Sequence, residues 1–407
     1  MTASSRWLSI VGFGEDGIDG LSPAAQRLIA QASLVVGGAR HLKLAALAGE
    51  RALAWPSPID EAMPQILARR GEPVCVLASG DPFFYGVGAL LMRHIGAEEM
   101  ICLPAPSAFS LAAARLGWSL QDCATLSLHG RALEAIIPHL QPRARLLALS
   151  WDGETPGRLA RLLTARGMGR TRLVVCEAMG GARETLREAL ADGFALDDIA
   201  ALNTIALEVV AEAGARVIPR ASGLPDAMFE HDGQITKREV RAMTLAALAP
   251  RRGELLWDVG AGCGSVAIEW MLGDPANRAI AIEKNPERAA RIARNAAALG
   301  VPSLEIVEGE APQALGGLAK PDAVFIGGGA SDADLLDCAF QALAPGGRLV
   351  VNAVTLEGQS ELARRFQRQG GDFVQAHIAR ADPVGRFHAW RPAMPVVQWS
   401  LEKPWPE

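Results

Sequence analysis

Short apolar runs alternate with amphipathic stretches along this chain, and the runs give the first reading of its fold. Residues 7–12 (WLSIVG), Leu34–Gly37 and residues 73–78 (PVCVLA) are apolar but for Ser9. Such runs fit strands buried on both faces of a parallel sheet. A helix is predicted over 22–31, with Ser22 as N-cap and Pro23 at the first helical position. Further helices are predicted over 86–94 and 107–116, the second capped by Ser107, and further strands over Arg145–Leu149 and 172–176. The pattern weakens between 211 and 232, where Ala221-Ser222-Gly223-Leu224-Pro225-Asp226 reads as a turn-rich connector. It then restarts. Strands are predicted over 254–259, Arg278–Glu283, 304–308, 322–326 and 348–352. Helices are predicted over 239–248, from Ser265, and over 286–299, 333–343 and 361–369, and the tail after Gly371 reads as a β-hairpin. This is an α/β chain. Its expected domains are 1–210 and 227–407, joined by a linker at 211–226.

The chemistry concentrates where strands end. Gly260-Ala261-Gly262-Cys263-Gly264 joins the 254–259 strand to the next helix. Glycines allow a sharp turn and bring a ligand against bare main chain, and the helix start offers free N–H groups. A ligand-free turn can use the same residues. Glu283 ends the following strand, where an acid accepts hydrogen bonds from ribose hydroxyls; its plainer role is a solvated charge. A nicotinamide dinucleotide in an oxidoreductase and S-adenosylmethionine in a methyltransferase both fit. Three features favour the second: the GxGxG spacing, Glu310-Ala311 after the third strand where an adenine edge would sit, and Gly327-Gly328-Gly329 after the fourth, where main chain can approach a substrate. In the first half, Gly12 and Gly14 follow one strand and Gly80-Asp81-Pro82 follows another.

These motifs carry two family resemblances. The second half, over about 180 residues, resembles the class I (Rossmann-like) S-adenosylmethionine-dependent methyltransferases. With Asp232-Gly233-Gln234-Ile235-Thr236-Lys237-Arg238-Glu239 upstream, it is similar to the C-15 methyltransferases (decarboxylating) of corrin synthesis. That resemblance implies cofactor contacts from Thr236, the 260–264 loop, Glu283 and Ala311. Thr236 can equally be a helix N-cap, with Glu239 completing a capping box. The order Val11-Gly12-Phe13-Gly14, Ser79-Gly80-Asp81-Pro82 and Pro104-Ala105-Pro106-Ser107-Ala108 resembles the tetrapyrrole (corrin/porphyrin) methylases, a two-lobed S-adenosylmethionine-dependent fold. It implies cofactor contacts from Gly80, Asp81, Ser107 and Ala108 and a substrate border at Gly12 and Gly14. Ser127-Leu128-His129-Gly130-Arg131 looks like a mark of the C-5 methylating branch. Many members have proline in the first loop, where this chain has Gly14-Glu15-Asp16-Gly17.

Together the halves resemble the fused, decarboxylating precorrin-6Y methyltransferases of cobalamin biosynthesis. The resemblance implies methylation of precorrin-6Y (precorrin-6B) at C-5 and C-15 with loss of the C-12 acetate carboxylate, giving precorrin-8X. A cobalt-containing substrate, or a non-catalytic tetrapyrrole carrier, stays open at this point. Arg131 is a candidate for a substrate carboxylate. Asp232, Lys237 and His129 are candidates for proton transfer, though His129 can be an ordinary strand-end histidine. Asp258, ending its strand beside the glycine loop, reads as a cofactor-positioning residue.

Composition narrows the partners. Of 407 residues, 50% are hydrophobic and 21% charged, a globular balance, and the net charge of −5 argues against a nucleic-acid coat. The six cysteines form no CxxC or Cys/His cluster, so neither a metal site nor a disulfide framework is expected. No signal-peptide core or membrane-length apolar run is visible. The expectation is a cytoplasmic enzyme acting on a small tetrapyrrole, assembled as a homo-oligomer (dimer or tetramer).

Overall fold

The continuous apolar runs become inner strands, and their ends place the glycine loops. The computed structural model describes residues 6–405; residues 1–5 and 406–407, at the ends of the two expected domains, lie outside the described residues. By internal contacts the chain divides into two units. The first runs up to Leu133 and resumes over His139–Val217; the second comprises Glu134–Pro138 and everything from Ile218 onward.

The first unit holds two sheets. Strands β1 (Leu8–Phe13), β2 (Leu34–Gly37), β3 (Ala52–Ala54), β4 (Val74–Ser79) and β5 (Met100–Leu103) lie parallel in the order β3-β2-β4-β1-β5. β1 is buried along its whole length because its alternate residues enter two cores. Leu8 and Ile10 pack with Ile66 and Leu91, whereas Val11 and Phe13 pack with Ile29 and Leu42. Each fully buried aliphatic side chain of this kind contributes about 1.5–3 kcal/mol. The helix Pro23–Gln31 starts as expected, the Ser22 hydroxyl accepting from the Ala25 N–H.

The second sheet departs from simple strand–helix alternation. β6 (Cys123–Ser127), β7 (Arg145–Leu149), β8 (Arg172–Glu177), β9 (Thr185–Leu190) and β10 (Asn203–Glu208) run in the order β6-β7-β10-β8-β9. Only β6 and β7 are parallel; β10 is antiparallel to β7 and β8, and β9 pairs antiparallel with β8. The 86–94 helix shrinks to Gly88–Leu91. Gly86 and Gly88 are poor helix formers, and the Pro82 carbonyl draws the Gly88 N–H into a turn.

In the second unit, β11 (Leu255–Val259), β12 (Arg278–Glu283), β13 (Glu305–Glu308), β14 (Ala323–Ile326) and β15 (Arg348–Ala353) are parallel. β16 (Asp372–Ala376), β17 (Ala379–Val384), β18 (Phe387–Pro392) and β19 (Val396–Glu402) follow. The seven-stranded sheet runs β13-β12-β11-β14-β15-β19-β16, with β19 antiparallel to both neighbours, while β17 and β18 form a separate hairpin. Strand order turns outward in both directions from β11 and β14. That is the switch point above which open α/β sheets bind ligands.

Three local expectations change. The 361–369 helix begins at Leu356, because Thr355 caps it by accepting from the Gly358 N–H. The tail is two sheet strands around a hairpin rather than a hairpin alone. The capping box at Thr236 does not form: the helix Arg238–Leu248 has Lys237 at its N-cap without a side-chain cap, and Glu239 instead pairs with Arg380 of β17. Gly223 and Leu224, in the expected connector, donate their N–H groups to the buried Glu269. No helix among the described residues is long and apolar enough to cross a membrane.

Candidate functional site

In the first unit three loops meet at the carboxyl ends of β1, β4 and β5. β1 and β4 run in register from Leu8↔Val74 to Phe13↔Ser79, which levels Gly12 with Ala78 and brings the Gly80 turn beside it. The Gly80 N–H donates to the Phe13 carbonyl at 3.2 Å, and the Gly80 carbonyl accepts from the Ala105 N–H at 3.1 Å. A Cβ on Gly12 would lie 2.2 Å from both the Ala105 nitrogen and the Gly80 oxygen, so only glycine fits. Gly80 has φ +55 and approaches Ser107, which caps the helix Ala108–Leu116 through the Ser110 N–H. Asp81 holds its own turn by accepting from the Phe83 N–H at 2.9 Å. Gly12, Gly80, Asp81, Ser107 and Ala108 therefore belong to one cluster, with Gly14 at its margin. His129 and Arg131 sit on the exposed loop after β6, in the other sheet. An open groove of about 740 Å³ between the helix Thr155–Ala165 and the 191–199 loop includes none of these residues.

The second unit repeats the principle with different parts. Gly260, Gly262 and Gly264 all have positive φ, +69, +63 and +78. Gly260 packs against Gly328, whose nitrogen would lie 3.2 Å from an added Cβ. The buried Glu283 carboxylate accepts from the Gly262 N–H at 2.8 Å and the Asn285 N–H at 3.0 Å, locking the glycine loop to the end of β12. The Gly309 N–H donates to the Glu283 carbonyl and the Gly327 N–H to the Val259 carbonyl, so the loops after β11, β12, β13 and β14 converge.

Asp258 lies beneath this cradle, 1% exposed. Its Oδ2 accepts from the Ala267 N–H at 3.0 Å, while its buried Oδ1 has no hydrogen-bond partner among the described residues. Burial weakens it as an acid, pushing its pKa up to about 7; the Ala267 N–H opposes the rise and Glu283 adds to it. A buried oxygen without a donor, under bare glycine backbone, is suited to a ligand that brings a donor or a positive charge.

The other candidates divide. Ala261 belongs to the glycine loop, its N–H on the Ile282 carbonyl. Ala311 follows β13 at the same rim, and Gly329 completes the turn after β14. The Cys263 side chain points into the core, and burial pushes its thiol up; its carbonyl accepts from Asn295. Glu310 is exposed and pairs with Lys284 at 2.9 Å. Thr236 offers its carbonyl to Arg241, and the Gln234 carbonyl reaches the Gly262 position. Asp232 is clamped by Arg288 and Arg291, each at 2.9 Å, and those guanidiniums hold its carboxyl well below the usual range. It is therefore a poor proton acceptor near neutrality. Lys237 is exposed at the helix start. Among the described residues no group of His, Cys, Asp and Glu side chains could hold a metal ion.

The sequence reading passed over Arg288 and Arg291, which fasten the Asp232 turn, and Arg241, fully buried, which binds Glu269, Asp226 and the carbonyls of Leu224 and Thr236. It also passed over Tyr85. The pairing of Asp232 with a helix over 50 residues away (|i−j| 56 for Arg288) leaves no local signal.

Comparison with known proteins gives two family matches, one per half. Residues 8–194 match the tetrapyrrole (corrin/porphyrin) methylases and residues 227–403 the precorrin methyltransferase domain. The chain is 56% identical over 401 residues to the precorrin-6Y C(5,15)-methyltransferase (decarboxylating) of Sinorhizobium sp, covering 98% of this chain and 97% of that one. It is 40% identical over 401 residues to the protein of the same name from Mycobacterium tuberculosis, covering 97% of this chain and 99% of that one. The crystal structure of the C-terminal domain of precorrin-6Y C5,15-methyltransferase from Rhodobacter capsulatus covers 46% of this chain and 100% of its own, at 48% identity and a TM-score of 0.44.

Proposed function

This chain belongs to the precorrin-6Y C(5,15)-methyltransferase (decarboxylating) family, and from that premise we propose that it methylates precorrin-6Y at C-5 and C-15 and removes the C-12 acetate carboxylate, giving precorrin-8X. In this reading S-adenosylmethionine is the donor at both sites. The first unit serves C-5; the second serves C-15 and the decarboxylation. The observation that carries the reading is that one chain has two separate clusters of strand-end loops, each closed by bare glycine backbone, in halves that match two different methylase families. The relatives matched end to end are named for precorrin-6Y without cobalt, which supports the metal-free macrocycle.

The residues fit the donor. Bound there, S-adenosylmethionine supplies a methyl group already activated on a sulfonium. In the second unit the 260–264 loop gives a ligand main chain without side-chain obstruction, and Glu283 keeps spare carboxylate lone pairs for ribose hydroxyls. Asp258 Oδ1 would gain a partner from a cationic group, which favours its ionised form. Gly327 and Gly328, exposed at the rim, leave room for the macrocycle. In the first unit Gly80, Asp81, Ser107 and Ala108 would hold the donor, and Gly12 and Gly14 would border the substrate. Holding two reactants in attack geometry can supply about 7–11 kcal/mol. No side-chain base is assigned: Asp232 is held as a carboxylate by two arginines, and the conjugated macrocycle can accept the electrons that decarboxylation releases.

The test supplies the full chain with methyl-labelled S-adenosylmethionine and precorrin-6Y labelled in the acetate carboxyl. Two methyl labels in each product and one labelled carbon dioxide are expected. Label at neither carbon would refute the reading.

A further inference from the structure

The chain has one tyrosine, Tyr85, in the turn that also carries Asp81. Its backbone is left-handed, at φ +57, a conformation bulky residues seldom adopt and which structures retain where the surroundings enforce it. Three contacts enforce it here. Its hydroxyl donates to the Thr125 carbonyl on β6 at 3.1 Å, tying the loop after β4 to the other sheet of the unit. Its ring meets Phe109 edge-on at 5.9 Å, at the start of the helix that Ser107 caps. The Arg131 guanidinium lies 5.8 Å from the ring centroid, within cation–π range. Yet the residue is 44% exposed, so burial does not account for it. One side chain thus touches the donor-site turn, the far sheet and the cation expected to meet a substrate carboxylate.

We propose that Tyr85 is the positioning residue of the first unit: through the Thr125 hydrogen bond and its ring face it presents the Arg131 guanidinium to a carboxylate of the tetrapyrrole. This rests on the reading of that unit as the C-5 methylase. Arg131 makes the charge-assisted contact, and Tyr85 fixes where the guanidinium stands. A flexible exposed arginine would lose side-chain freedom on binding; one already laid on a ring loses less.

The experiment uses the full chain. Tyr85→Leu removes ring and hydroxyl and should raise the KM for C-5 methyl transfer about tenfold; Tyr85→Phe removes only the hydroxyl and should raise it about threefold. In both, kcat for C-5 transfer should stay within about twofold and C-15 transfer should be unchanged. Because there is one tyrosine, ring-¹³C-tyrosine labelling of the unmutated protein gives a single residue's signals. Against a background of saturating S-adenosylhomocysteine, they should shift when precorrin-6Y is added. That arm needs no variant, so poor folding of Tyr85→Leu leaves it decisive. Unmoved KM values, or signals that ignore saturating precorrin-6Y, with C-5 transfer intact in the parent, would overturn the positioning role alone. A parent that transfers nothing to C-5 would overturn both this role and the C-5 reading beneath it.

Discussion

Replacing Asp258 with asparagine should change how the stability of the second unit depends on pH. In the folded chain burial moves this carboxyl from 3.8 to about 7. A folded-state value above the unfolded one means that the folded chain holds the proton through the window between them. Stability is then full below about pH 4, falls by about 1.4 kcal/mol per pH unit up to about 7, and is level above that, with a total loss of about 4 kcal/mol. Between pH 5 and pH 8 the parent should lose about 3 kcal/mol from this group. Asparagine keeps an acceptor for the Ala267 N–H and does not titrate. Its amide nitrogen replaces the partnerless Oδ1 at a cost of about 1–3 kcal/mol, the same at every pH. The stability gap between variant and parent should therefore move by about 3 kcal/mol in the variant's favour from pH 5 to pH 8. Amide hydrogen exchange in peptides spanning β11 and β12, corrected for intrinsic rate, reads the opening free energy of that sheet; peptides from β1 and β4 serve as an internal control. A gap that changes by less than about 0.5 kcal/mol would show that the buried carboxyl does not carry this proton.

Three further outcomes test the two sites. Gly12→Ala should abolish C-5 transfer while C-15 transfer and carbon dioxide release persist, because its Cβ would meet backbone atoms at 2.2 Å; position-resolved product analysis checks it. Glu283→Ala removes the acceptor for two loop N–H groups, and calorimetry with S-adenosylhomocysteine should fall from two binding events per chain to one. Arg241→Met leaves Glu269 buried without its cation, at about 3–5 kcal/mol, and frees the segment that ends at Thr236. Limited proteolysis should then cut within residues 222–237, where the parent resists.

How much of this was readable beforehand depended on whether the signal was local. β1, β4, β11 and β12 announce themselves because strands buried on both faces are mostly apolar, with polar residues such as Ser79, Asp258 and Glu283 at or near their ends. β9 (TLREAL) escaped because it is an edge strand with mostly exposed positions, whose charges read as loop or helix. β3 is only three residues long. Thr236 and Glu239 had the spacing of a capping box, but Arg380, 141 residues beyond Glu239, claims that carboxylate. The glycine loops were legible because a turn at a strand end is written in consecutive residues. The clamp on Asp232, the lone oxygen of Asp258 and the tether of Tyr85 depend on partners that only folding brings near.

The β17–β18 hairpin leaves the large sheet at one rung and returns at the same rung, since Ala376 and Val396 face each other across the β16–β19 ladder. Ile378 and Ala393 close its neck, and Arg380 pins its foot to Glu239 and Asp226. β18 is exposed from end to end and β17 at all but Asp382, with Phe387 and Trp390 presented outward. The hairpin therefore hangs from a single rung: a short turn joining 376 to 396 would leave the β16–β19 register intact and would give up only the Arg380 ion pairs. Residues 381–395 are free to vary in length and composition so long as Arg380 keeps its hold on Glu239 and Asp226, beside the segment that ends at Thr236.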